Sequence, residues 1–437
     1  MFAVRRLLAL AALVTLAAPA SAQPDTGGTW EGLARMPGQT LAMTVTLSPD
    51  SGGWAGTVDV PEAGMRDVPF SSVEVTDDSL RLELPGGLAA LAGRFSAGGA
   101  LVAGEVRYGP QTGTFTLARP GSPEATALAG ELAAWTIPPS PHPDSARVVT
   151  EDVDRFWAAY DASTPQTRAA ALQRDYLDRA TPGLEDFLGI KIGTAERLAE
   201  AVDAHPRYYA SARAATLGLA QTEPAIRAAF RRMEALYPDA VYPDVYLVVG
   251  RMNSGGTISP RGLLLGAEMF GRTPDMPDDE LSGWHRDVIS TAETVAPMVA
   301  HELVHYQQDY ADPGLTLLSG ALREGSADYL GEMASGGNIN DHVHAWADPR
   351  EEAVWCEFQA AMEGDDTSAW LYNGSRTADR PADLGYYVGY KITEAFYEQA
   401  RAAGLDDEAA IRPILHVDDA RAFLEESGYA ERFTCDE

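Results

Sequence analysis

His301 and His305 stand four residues apart in the run His301-Glu302-Leu303-Val304-His305. On a helix that spacing puts both imidazoles on one face, and neutral imidazole is a preferred zinc ligand. Glu302 lies beside them, placed to reach a water on the metal without itself being a ligand, as a general base must. Eighteen residues separate His305 from Glu324, which sits in Arg323-Glu324-Gly325-Ser326-Ala327-Asp328. A His301, His305 and Glu324 set leaves one coordination position open, which catalytic zinc requires and structural zinc does not. Asp328 falls one helical turn beyond Glu324, where it can accept the outer N–H of His301 and fix its tautomer. The pattern predicts one Zn2+ per chain. Its plain alternatives are surface histidines on a helix and, at Glu324, a solvated helix position.

Such ligands need rigid elements under them. Val295, Met298, Val299 and Leu303 supply the apolar positions of a helix carrying the histidines, with Thr294 as cap and Pro297 in the permissive first turn. Upstream, Val245 to Val249 reads as a buried strand, and Gly255-Gly256 leads to another around Leu263 to Leu265, giving a small sheet. From Ser145 to Leu236, Ala, Leu and Arg recur at helical spacing, and Val153, Phe156, Trp157 and Tyr160 share one face that reads as core. Thr26 to Pro120 instead shows short strands broken by Gly and Asp turns. Leu41, Met43, Val45 and Leu47 alternate there, as do Leu80, Leu82 and Leu84, which implies a barrel or sandwich.

The fold class expected is multidomain α+β: an N-terminal β-barrel or sandwich module, then a mostly helical zincin-like catalytic domain with a small β-sheet. The boundaries read as 1–22 signal peptide, 23–120 β module, 121–144 linker around the Pro-rich run Ile137 to Pro143, and 145–437 catalytic domain. That last stretch divides into helical 145–240, core 241–400 and C-terminal helical 401–437.

Arg5 and Arg6, an apolar run from Leu7 to Ala18 and the small residues Ala20-Ser21-Ala22 have the layout of a cleaved secretory signal. The run is too short for a membrane span, so export without a membrane anchor, to the periplasm or beyond, is expected. The net charge of −31 argues against nucleic acid and anionic lipid as partners. In an oxidising compartment Cys356 and Cys435 either form a disulfide tying down the C-terminus or remain as buried thiols.

The His and Glu motifs together resemble the gluzincin metallopeptidases. Within that group the chain most resembles the bacterial predicted zinc-dependent proteases known as the domain of unknown function 2268. The likeness covers roughly 242–400 and includes Gly385-Tyr386-Tyr387-Val388-Gly389-Tyr390. Gly28-Thr29-Trp30 is similar to the start of lipocalin-like barrels. The resemblance implies a zinc-dependent peptidase acting on peptides or proteins, with Tyr386, or Tyr390 on the same helical face, donating to the oxyanion. It further implies that an edge strand, from Ser254 to Thr257 or near Leu265, pairs with substrate backbone. His342 and His344 form another possible metal pair, more readily read as a polar loop. Two rival functions stand beside the peptidase: a non-catalytic zinc site, and a lipid- or glycan-binding β module. A non-catalytic site has no use for Glu302.

Overall fold

The computed structural model describes residues 26–61, 65–96, 98–109, 111–310, 316–374 and 380–435. The expected signal peptide lies outside these residues.

Among them, nine antiparallel strands form one sheet: β1 (Gly28–Met36), β2 (Gln39–Asp50), β3 (Gly53–Val60), β4 (Met65–Pro69), β5 (Ser72–Val75), β6 (Ser79–Glu83), β7 (Ala89–Phe95), β8 (Leu101–Tyr108) and β9 (Gln111–Ala118). Their order, β4-β3-β2-β1-β9-β8-β7-β6-β5, is a curled half-barrel rather than a sandwich. The period-two pattern explains the curl's interior, because alternate side chains along a strand share a face. Met43, Val45, Leu47, Leu80 and Leu82 are all buried there with Trp30, Phe115 and Leu117.

Residues 121–144 include a helix, Pro123–Trp135. Its start is written locally: Ser122 Oγ accepts from Ala125 N at 3.1 Å and proline occupies the first turn. Ala125 and Leu128 pack on Leu33 and Ala118 of the sheet.

A second sheet of four strands follows, β10 (Val148–Val149), β11 (Val245–Val248), β12 (Gly256–Ser259) and β13 (Gly262–Gly266), in the order β10-β11-β13-β12. β10, β11 and β13 run parallel, and β12 is antiparallel to β13 at the edge. β11 and β13 are buried throughout, as their apolar sequences require. Leu263 to Leu265 therefore belongs to an interior strand. The edge expected near Leu265 is β12 alone, since β13 is hydrogen-bonded on both sides.

Helices pack around this sheet and form one continuous apolar core with it, into which Val153, Phe156 and Trp157 point. The contacts between the two regions include two close ones. The β1–β2 turn at Pro37-Gly38 lies over residues 186–190, so close that a methyl group on Gly38 would sit 2.9 Å from Gly189 Cα. Arg66 also pairs with Asp309. At the far end Cys356 and Cys435 form a disulfide with Cα atoms 5.4 Å apart, tying the C-terminus to helix Glu351–Ala361.

Candidate metal centre

Helix Val295–Gln307 carries the two histidines. Thr294 occupies its N-cap position, but the side chain does not cap: Thr294 Oγ1 donates to Thr291 O at 2.8 Å. The short helical turn Ala292–Thr294 leads straight into the helix and occupies that hydroxyl. Val295, Val299 and Leu303 enter the core while His301, Glu302 and His305 line a cleft. A second helix, Leu317–Ser335, is capped by Thr316, whose Oγ1 accepts from Ser319 N at 3.1 Å, and brings Glu324 and Asp328 to the same place. A third, Leu384–Ala402, crosses it where Gly325 and Gly389 meet. A side chain on Gly325 would strike the backbone of Gly389 and Tyr390, and one on Gly389 would strike the backbone of Ala321. The glycine in the tyrosine-rich segment thus serves helix approach.

Ligand atoms of His301, His305 and Glu324 lie within 4.8 Å of one another. His301 Nε2 and His305 Nε2 are 3.0 Å apart, and Glu324 Oε2 is 3.5 Å from the first and 3.2 Å from the second. Their outer nitrogens are engaged elsewhere. His301 Nδ1 donates to Asp328 Oδ1 at 2.8 Å, and Asp328 Oδ2 accepts from Asn340 Nδ2 at 2.7 Å. His305 Nδ1 donates to Gln308 Oε1 at 2.8 Å. The Gln308 amide is oriented by its own donations to Arg323 O at 2.8 Å and Ser326 Oγ at 2.9 Å. With both imidazoles neutral, the two Nε2 lone pairs face Glu324 Oε2 and three acceptors converge on one point, so a proton or a metal ion belongs between them. Only a positive charge satisfies that arrangement, and two imidazoles with one carboxylate are a zinc donor set.

The electrostatics agree. Burial alone would lower the His301 pKa, yet the hydrogen bonds to Asp328 and Glu324 raise it well above the ordinary imidazole range. Burial would raise Glu324, but His305 and His301 draw it well below the usual carboxylate value. Glu302 is raised, burial outweighing the pull of both histidines. A carboxyl with raised proton affinity suits a group that must accept a proton and release it.

Around this centre is a cleft of about 810 Å³ lined on one side by Asn253 to Ile258 and on another by Tyr372 and Tyr386. The edge strand β12 approaches so closely that a methyl group on Gly256 would lie 2.9 Å from Glu302 Cδ and would push that side chain aside. The Tyr386 ring stacks near His301, with centroids 6.3 Å apart. Burial, then Glu324, holds its hydroxyl protonated far above the usual tyrosine range. Tyr390 is turned away and donates to Glu332 Oε2 at 2.9 Å. His344 lies between the rings of Tyr387 and Tyr390, at 5.0 and 4.5 Å, and His342 is exposed. Neither joins a three-ligand group among the described residues.

Residues 282–406 match the model of a family described as a predicted Zn-dependent protease (DUF2268). The DUF2268 match takes in His301, Glu302, His305, Glu324, Asp328 and Tyr386, and begins after the small sheet that the sequence resemblance included. β12 and the whole β module lie outside it, and it covers less than a third of the chain. No curated protein and no solved structure matches.

Four further residues belong to this site. Gln308 and Asn340 complete the hydrogen-bonded frame, Gly256 makes room for Glu302, and Tyr372 donates its hydroxyl to Glu324 Oε1. Gln308 follows His305 by one helical turn, the one local clue among them.

Proposed function

We propose that the protein is an exported zinc metallopeptidase of the gluzincin type that binds one zinc ion through His301, His305 and Glu324 and hydrolyses peptide bonds. The observation carrying this reading is the convergence of three acceptors on one point beside a buried, non-ligating Glu302. A purely structural site would close its coordination with a fourth protein ligand, and none joins the group among the described residues.

When bound, zinc supplies a Lewis acid that polarises the scissile carbonyl and lowers the pKa of a water to near ~7. Glu302 accepts the proton of the attacking water and delivers it to the leaving amine. Tyr386, held protonated, donates to the developing oxyanion, a contribution typically worth ~10²–10³ in rate. Asp328 and Gln308 hold the two imidazoles in the tautomer that presents Nε2. β12 is an edge strand beside Glu302 with no strand partner on its outer side among the described residues, where an extended peptide can add as a further strand.

Export rests on the layout of residues 1–22, and the Cys356–Cys435 disulfide supports an oxidising compartment. The lipid- or glycan-binding alternative is weakened because Trp30, Phe115 and their neighbours fill the half-barrel's interior.

The test is digestion of a fluorogenic peptide library with and without a chelator. Hydrolysis should be lost with chelator and regained with zinc, and Glu302→Gln should lower turnover ~10²–10⁴-fold while keeping the metal. Undiminished turnover in Glu302→Gln would place the base elsewhere.

A further inference from the structure

Lys191 and Lys391 are the only lysines of the chain. Lys391 pairs with Glu394 on its own helix. Lys191 lines the metal cleft, and its side chain makes no ion pair or hydrogen bond with any described residue. In a protein of net charge −31, where most cationic side chains have found a carboxylate, such a cation stands out. Holding an unpaired ammonium out of bulk water costs free energy, and here burial lowers its pKa against the opposing pull of Glu302.

The backbone beneath Lys191 is built rather than incidental. Lys191 sits in a π-helical turn, Leu188–Ile192, a rare form that is frequent at functional sites. Its carbonyl accepts from Arg251 Nε at 2.8 Å and from Asn253 Nδ2 at 3.0 Å, which fixes it to the loop leading into the edge strand β12. The segment is anchored at its start by Asp186, which is fully buried and accepts from Arg261 Nε at 3.1 Å. Arg261 in turn lies 3.8 Å from the Trp135 ring. Over the middle of the segment closes the Pro37-Gly38 turn of the β module, backbone against backbone at Gly189. Four separate elements thus hold one lysine at the rim of the cleft, beside the strand along which a peptide would lie.

We infer that Lys191 recognises a carboxylate of the peptide substrate, making this an enzyme for carboxylate-bearing peptides. The inference rests on the peptidase reading of the cleft. The carboxylate belongs to an Asp or Glu side chain or to a free C-terminus, and an ammonium ion treats both alike, as a point charge. Lysine with its flexible stem suits a ligand whose position varies with sequence, whereas bidentate arginine would demand one geometry.

The experiment uses full-length mature protein and three fluorogenic peptides of one cleavable sequence. One is neutral with blocked ends, one carries a single glutamate, and one is neutral with a free C-terminus. The wild type should favour at least one carboxylate-bearing peptide over the neutral one in kcat/KM by about 10-fold or more, the range of a charged hydrogen bond. Lys191→Gln should bring that ratio near one, and Lys191→Arg should keep part of it. Which peptide loses its advantage identifies the source of the carboxylate. Binding of the same peptides to Glu302→Gln protein, with and without Lys191→Gln, should show the same ~10-fold weakening without turnover. An equal loss on all three peptides would mean that Lys191 merely tunes Glu302, and overturns the inference. So would a preference that survives Lys191→Gln, which would point to Arg323, the other cation lining the cleft without a side-chain partner among the described residues. If zinc-loaded wild type cleaves none of the peptides, the peptidase reading fails by itself, and the binding arm still decides the role of Lys191.

Discussion

The half-barrel and the helical region bury different things. Inside the curl of β1 to β9 are Trp30, Met43, Val45, Leu47, Val102, Phe115 and Leu117, with no charged side chain among the buried residues. The helical region buries Asp152, Asp186, Arg261, Glu268, His301, Glu302, Glu324 and Asp328. Apolar burial is inexpensive and stabilises in proportion to area, whereas each buried charge needs partners to offset its desolvation. In this molecule the charges that are merely structural have such partners within the chain, as Asp186 has Arg261. At the candidate metal centre His301, His305 and Glu324 instead bring their ligand atoms within 4.8 Å of one another, an arrangement that a bound cation satisfies.

The largest effect that separates the two regions should come from Trp30→Ala. Trp30 is fully buried, its indole N–H donates to Thr26 O at 3.1 Å, and Arg119 lies 3.9 Å over its ring. The loss should be ~3–5 kcal/mol of stability in denaturant unfolding, with zinc content untouched. Loss of zinc in a folded Trp30→Ala protein would mean that the half-barrel shapes the metal site, and the contrast would fail.

A second contrast concerns Glu268, fully buried, which accepts from Gly250 N at 2.8 Å and Met252 N at 2.9 Å and so holds the loop before β12. Burial pushes its carboxyl from 4.5 up to about 7. Because the folded pKa is the higher one, the folded protein is favoured below pH ~4.5 and loses that advantage as pH rises to ~7, on the order of 3 kcal/mol. Unfolding free energies of wild type and Glu268→Gln should therefore move against each other between pH 5 and 8, with wild type losing ground. A difference independent of pH would show that Glu268 is ionised throughout.

The smallest effect is expected at Asp328→Ala, which removes the acceptor of His301 Nδ1 but no ligand. Zinc affinity in a chelator competition should weaken ~10–100-fold with the fold intact. Unchanged affinity would leave Asp328 as ordinary helix packing.

These contrasts also explain what was readable in the sequence. His301, His305, Glu324 and Asp328 are legible because each pair lies one helical turn apart, so periodicity alone puts both members on one face. The half-barrel is legible through its alternation at Met43, Val45 and Leu47. Helix Pro123–Trp135 had its own start signal in Ser122-Pro123, which the nearby proline-rich run obscured. Asn340, Tyr372 and Lys191 could not be read at all, and Gly256 only as part of the edge segment Ser254 to Thr257. They meet the site across 12 to about 110 residues of chain, and only packing brings them there. Gly256 shows why: its meaning is an absent Cβ beside Glu302, and no local pattern records it.

Zinc content tests the central claim most directly. Elemental analysis of the purified mature protein should find about one zinc per chain, with His301→Ala, still folded by circular dichroism, retaining little of it. Full retention of zinc in His301→Ala would contradict the account, because the metal would then be held by other residues.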